Sequence, residues 1–277
     1  MLYATLFYAG MNWCIKYLQG IPSHEVVFFR SIVTLVFSYV LIRRKNLNPW
    51  GNNKKLLIYR GLAGFIGLTF YIYTVQRMSL ASAVTIQYLA PIFTAIFAIF
   101  LLGDRLRWPQ WLLFGVAFSG VLLIKGYDPT VDIKLLLFGI ISAIGSALAY
   151  NFISMLKGKD DPIVIVFYFP LVTLPCIGPW LLFDFVWPSP FEWAMLLATG
   201  LFTQYAQLYM TRAYQLEKVS NVSILSYLGT IYALIIGVLV FNESYPWQAL
   251  LGIGLIVGSV ISSIILKTRA EKIHFAK

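Results

Sequence analysis

QYLAPIFTAIFAIFLLGDRLRW (Gln87–Trp108) and SYLGTIYALIIGVLVFNESYPW (Ser226–Trp247) are two copies of one pattern, 139 residues apart. Without a gap, Tyr88 pairs with Tyr227, Ile92 with Ile231, Ile96 with Ile235 and Trp108 with Trp247. The register extends to Gly61 with Gly200 and Gln76 with Gln215 upstream, and to Gly115 with Gly254 and Val121 with Val260 downstream. A repeat of this length in an almost wholly apolar chain points to a duplicated membrane unit. Such duplications commonly build a solute pathway at the repeat interface.

Composition agrees. The 277 residues are 60% hydrophobic and 12% charged, with a mean hydropathy of +0.79, whereas a soluble domain carries about 25% charged residues. Ten apolar segments can be marked: 1–18, 26–42, 60–76, 82–102, 109–124, 134–156, 163–183, 192–212, 219–241 and 247–266. Each approaches the ~20 residues that cross a hydrocarbon core. Lipid offers the backbone no hydrogen bonds, so these runs are expected to be helices; continuous apolar runs do not fit the alternating strands of a barrel. The expected fold is an all-α membrane protein of ten transmembrane helices. The loops are short and leave no room for a second, soluble domain. No basic region precedes the first segment, as a cleaved signal would require, and the chain opens almost inside that segment, which leaves room for a short native tail upstream.

The +10 net charge suggests nucleic acid only until its placement is considered. With the N-terminus in the cytoplasm, that side receives Arg43, Arg44, Lys45, Lys54, Lys55, Arg60, Arg105, Arg107, Lys157, Lys159, Arg212, Lys218, Lys267, Arg269, Lys272 and Lys277. The other side keeps Lys16, Arg30, Arg77, Lys125 and Lys134. This positive-inside asymmetry places both termini in the cytoplasm. The charge is a topology signal, and no nucleic-acid partner is expected. Five helices per unit is an odd number, so the second unit enters from the opposite side. The expectation is an inverted-topology repeat, the architecture of alternating access.

Two copies of a helix ending in Gly103–Asp104 or Asn242–Glu243, with FFR at Phe28–Arg30, YLAP at Tyr88–Pro91 and LASA at Leu80–Ala83, resemble the EamA family of the drug/metabolite transporter superfamily. The resemblance covers essentially the whole chain. It implies a first EamA repeat over 1–125, a second over 134–267 and a cytoplasmic tail over 268–277. It also implies a central cavity between the repeats and a small organic solute: an amino acid or related compound, an S-adenosylmethionine-like molecule, or a nucleoside or sugar. Asp104 stands where the family usually has Glu, and Thr230 stands opposite Pro91.

The residues offer their own candidates for that cavity. Thr199, Thr203, Gln207 and Tyr214 run along one segment, and Ser142, Ser146, Tyr150 and Ser154 along another with Asn151 alongside; residues four apart share a helix face. Tyr8 and Asn12 add a third wall, and Asn12 and Asn151 are equivalent in the two halves. Small and hydroxylated residues also suit tight helix crossings; packing is the expectation for Ser142 and Ser146, cavity lining for the amides. Pro91 deprives the Gln87 carbonyl of its helical donor, making a polar niche that either contacts solute or is filled by a neighbouring hydroxyl. Tyr88 and Tyr227 lie deep enough to flank a solute. Trp50, Trp108, Trp187, Trp193 and Trp247 are expected at the membrane interfaces.

Asp104 and Glu243 are expected as gates or caps at opposite mouths. Arg30, about one turn inside its helix, can pair with Glu25, snorkel outward or bind an anionic group on a solute; pairing or snorkelling is the expectation, and Lys16 is likewise expected to snorkel. No acid falls mid-membrane to relay protons, which favours facilitated diffusion or exchange. Cys14 and Cys176 read as apolar filler. No metal spacing, phosphate loop or nucleophile elbow occurs, and no cofactor is expected. Two other functions compete: a membrane-embedded lipid-modifying enzyme, for which acid–base groups are lacking, and a non-transporting receptor or scaffold. Gly254 and Gly258 form a G-x-x-x-G that packs helices within one chain or joins two chains as a homodimer. Short loops suit a bacterial inner membrane.

Overall fold

The computed structural model describes residues 1–103, 108, 112–113, 115–116, 119–120, 123, 131–216 and 228–275. Its helices are α1 (Leu2–Tyr17), α2 (Ser23–Arg44), α3 (Lys54–Arg77), α4 (Leu80–Gln87), α5 (Ala90–Leu102), α6 (Ile133–Met155), α7 (Pro162–Ile177), α8 (Pro190–Leu216), α9 (Leu228–Phe241) and α10 (Trp247–Phe275). No strand occurs among the described residues. Among the described residues, five spans are long and apolar enough to cross a membrane: Ser23–Arg44, Lys54–Arg77, Leu80–Leu102, Ile133–Met155 and Pro162–Leu182. Large apolar side chains such as Phe100, Leu182 and Leu239 stand exposed, as a lipid-facing surface requires. The expected segment 109–124 lies largely outside the described residues. Residues 268–275, expected as tail, continue α10.

Helix ends follow from local chemistry. Asn53, Asp132 and Asp161 each accept a backbone N–H of the first turn of α3, α6 and α7, the usual N-cap contact. At α8, Ser189 and Glu192 exchange backbone-to-side-chain bonds of 2.7 and 3.3 Å, a capping box. Pro91 splits one span into α4 and α5, with no helical donor for the Gln87 carbonyl. The Gly-Asp and Asn-Glu motifs have a physical basis too. Gly103 (φ 72°) and Asn242 (φ 51°) are counterparts, and both end their helices in left-handed geometry, which glycine and asparagine tolerate best.

Packing respects the 139-residue shift. The shift carries α1 onto α6, α2 onto α7, α3 onto α8 and α4–α5 onto the region of α9. The broadest interfaces are α3 with α6 and α1 with α8, which the shift interchanges, as it does α2 with α8 and α3 with α7. Individual contacts repeat as well. Gln76 Nε2 donates to the Ile21 carbonyl at 3.0 Å, and Gln215 Nε2 donates to the Asp160 carbonyl at 3.0 Å; donors and acceptors are both 139 apart. A Cβ on Gly61 would lie 2.8 Å from Val172 Cβ, and one on Gly200 would lie 2.5 Å from Val33 Cβ. The two valines are again counterparts. Gly61→Ala and Gly200→Ala are each expected to destabilise by about 1–3 kcal/mol, the usual range for overpacking, read as matched losses in detergent thermal unfolding.

Candidate functional site

A cavity of about 130 Å³ lies among α1, α3, α4–α5, α6, α7 and α8. On α1, Thr5, Tyr8 and Asn12 turn one face toward it, as three- and four-residue spacings dictate. Asn12 Oδ1 accepts from Tyr71 Oη of α3 at 2.9 Å. Tyr8 Oη donates to Met210 Sδ of α8 at 3.2 Å. Tyr150 of α6 stacks on Tyr214 of α8, with ring centroids 5.1 Å apart and planes 22° from parallel. Tyr88 reaches across to Gly229 of α9, where a Cβ would meet its ring.

Gln87 also lines the cavity, and both ends of its amide are held by α6. Its Nε2 donates to Ser146 Oγ at 2.8 Å, and its Oε1 accepts from Ser142 Oγ at 2.6 Å. The Ser142 hydroxyl also lies 2.6 Å from the Gly67 carbonyl. Hydroxyls of α6 therefore satisfy the Gln87 side-chain amide beside the Pro91 break, while Pro91 itself stays on the cavity wall. The serines sit on the expected small-residue seam. A Cβ on Gly145 would lie 2.7 Å from Gly67 N and 2.9 Å from the Ala63 carbonyl, so the α3 and α6 backbones touch.

Gln207 lines the cavity, but Thr203 and Asn151 do not. Each four-residue step advances about 40° round a helix of 3.6 residues per turn. The row from Thr199 to Gln207 therefore spirals, and only its later part faces inward. Thr203 is fully buried away from the cavity. Asn151 sits about 100° round the helix from Tyr150 and instead donates to the Thr94 and Ala147 carbonyls at 3.1 and 3.0 Å. The paired asparagines have different jobs: Asn12 faces the cavity and Asn151 ties α6 to α5. Tyr227 and Asp104 lie outside the described residues.

The cations depart furthest from expectation. Arg30 neither pairs with Glu25 nor snorkels. It is fully buried, its guanidinium 5.6 Å from the Phe169 ring centroid, while Glu25 accepts from Val186 N at 3.1 Å. Lys16 does not snorkel either; its ammonium lies 3.2 Å from Glu243 and donates to the Met78 carbonyl at 2.6 Å. Glu243 further accepts from the Leu80 N–H at 2.9 Å and from Tyr245 Oη. It thus caps α4 and binds α1 to the α9–α10 turn.

Arg60, counted among loop charges, is the residue sequence reasoning missed. It is 2% exposed and lines the cavity, with Nη2 donating to Gln207 Oε1 at 2.8 Å. Its guanidinium lies 4.6 Å from the Phe169 centroid. The Asn53 cap was the available signal: a helix starting at Lys54 puts Arg60 nearly two turns inside the span.

Apolar spans, an interior cavity bordered by amide, hydroxyl and guanidinium groups, and helix pairs related by a sequence repeat define the class of membrane transport proteins. The EamA-like transporter family model matches residues 1–126 and again 133–265, and the chain belongs to that family, within the drug/metabolite transporter superfamily. It is 29% identical over 247 residues to the pseudopaline exporter CntI of Pseudomonas aeruginosa, covering 88% of this chain and 84% of that protein. It is 25% identical over 258 residues to an S-adenosylmethionine uptake transporter of Rickettsia conorii (92% and 87% covered). Solute carrier family 35 member G1 of Mus musculus is 30% identical over 276 residues (91% and 73%). A solved crystal structure with 18% identity superposes at a TM-score of 0.69 over 97% of this chain and 98% of that one, which shows the shared fold. The protein is an integral membrane transporter.

Proposed function

We propose that this transporter is a secondary carrier that moves a small organic metabolite by alternating access, through facilitated diffusion or exchange. Its two repeats, 1–125 and 134–267, would be inverted units of five helices with both termini in the cytoplasm. One observation carries the reading: the cavity lies where helix pairs interchanged by the repeat meet, and a pseudo-symmetric pair of units can close alternately at either end. The cavity wall on α1 runs from Met1 to Asn12, and the Lys16–Glu243 contact binds the helix just beyond. On the charge-derived topology this is an inward-facing arrangement with its outer end latched.

Likeness to carriers of Pseudomonas and Rickettsia supports a bacterial inner membrane. The G-x-x-x-G at Gly254 and Gly258 is the stripe on which two copies would meet as a homodimer; light scattering in detergent is expected to return twice the protomer mass. The functional test is counterflow. Proteoliposomes preloaded with unlabelled amino acids, S-adenosylmethionine, nucleosides, sugars or organic acids are expected to take up the matching labelled solute faster than unloaded ones. Uptake equal to that of protein-free liposomes for every solute would reject the proposal.

A further inference from the structure

We infer that the transported solute carries a carboxylate or phosphate group, and that Arg60 is the residue that contacts it, with Arg30 supplying a second positive charge behind the Phe169 ring. The inference rests on the carrier reading above and names the substrate class of the same cavity.

Both arginines are buried, Arg30 at 0% and Arg60 at 2% exposure, near one aromatic ring, that of Phe169. A buried charge is strongly unfavourable unless paired and hydrogen-bonded, and an arginine held for structure ordinarily meets a carboxylate. Here the protein supplies Arg60 with one amide oxygen and a ring. Arg60 Nε and Nη1, and all three nitrogens of Arg30, have no hydrogen-bond partner among the described residues. The ion pair found among those residues is Lys16–Glu243, which involves neither arginine. No Asp or Glu among the described residues lines the cavity. Arg60 borders the cavity, and its planar guanidinium, with N–H groups that the described residues leave unpaired, is suited to a carboxylate or phosphate oxygen pair.

The repeat sharpens the argument. The 139-residue shift sets Arg30 opposite Phe169 and Arg60 opposite Thr199. The charge therefore belongs to one half only. A cation shared by both halves would suit the common scaffold; one confined to a single half marks where the halves have diverged. Around it stand Tyr8, Tyr71 and Tyr150 with Asn12 and Gln207, hydroxyl and amide groups able to hold the rest of a polar or amphipathic solute. A cationic solute would meet two like charges and no acid.

The test compares acids with uncharged isosteres. Succinate and glutamate form the carboxylate arm, and glycerol 3-phosphate forms the phosphate arm. Succinamide, glycerol and putrescine serve as neutral or cationic controls. Thermal shift in detergent and counterflow in proteoliposomes are read together. An acid is expected to stabilise and exchange where its isostere does not. Arg60→Gln is expected to weaken its apparent affinity about ten- to a hundredfold, the loss for one charge-assisted hydrogen bond, with partial retention in Arg60→Lys. Should Arg60→Gln fail to fold, phenylglyoxal labelling of the wild-type protein replaces it: the acid must slow modification of Arg60 mapped by mass spectrometry. Equal labelling with and without acid would overturn the inference, as would unchanged acid affinity in Arg60→Gln. Exchange of controls with the acids inert would overturn it while leaving the carrier reading intact. No exchange of any probe would remove both.

Discussion

Glu243→Ala is expected to cost about 3–5 kcal/mol, the range for breaking a buried ion pair, and to release the outer end of the transporter. The carboxylate has three partners from separate elements: the Lys16 ammonium on α1, the Leu80 N–H at the start of α4 and the Tyr245 hydroxyl. Its loss strands a lysine whose side chain is 9% exposed. Removing both charges removes that penalty, so Lys16→Met with Glu243→Gln is expected to recover most of the stability. A double-mutant cycle by thermal unfolding measures the coupling between them. Coupling near zero would mean the pair is a surface contact. With the latch neutralised, the double variant is also expected to show an altered counterflow rate while remaining folded, separating its gating role from its structural one.

Gly145→Leu is expected to be the most damaging single substitution in the described helices. Its Cβ alone would come within 3 Å of three backbone atoms of α3. Backbone cannot rotate away as a side chain can, so α3 and α6 must separate. That separation would pull Ser142 and Ser146 from Gln87 and open the Pro91 turn. The cost should exceed the roughly 1–3 kcal/mol typical of overpacking, and folded protein is expected to be lost in size-exclusion chromatography. A monodisperse variant with an unchanged unfolding temperature would refute the close contact.

The repeat was legible because its residues do the same physical work twice. Gly61 and Gly200 each receive a valine, Gln76 and Gln215 each close a loop, and Gly103 and Asn242 each end a helix in left-handed geometry. Helical spacing was legible at Tyr8 and Asn12, because two residues four apart stay on one face. Thr203 falls off the cavity wall because a row of four-residue steps spirals round the helix, and Asn151 does so because equivalence in sequence is not equivalence of environment. The largest omission was Arg60. A cation near the start of an apolar run resembles a loop charge until the cap is located, and an arginine without a nearby acid in sequence gives no sign of being buried. What decides its role is contact with Phe169 and Gln207, more than a hundred residues away.

The occupied structure tests the account most directly. With the solute identified by counterflow present at saturating concentration, a map of the complex is expected to show it against the Arg60 guanidinium, within reach of Asn12 and Tyr71. Density at a lipid-facing surface, with the cavity around Arg60 unchanged, would contradict the central claim that this cavity carries the transported solute.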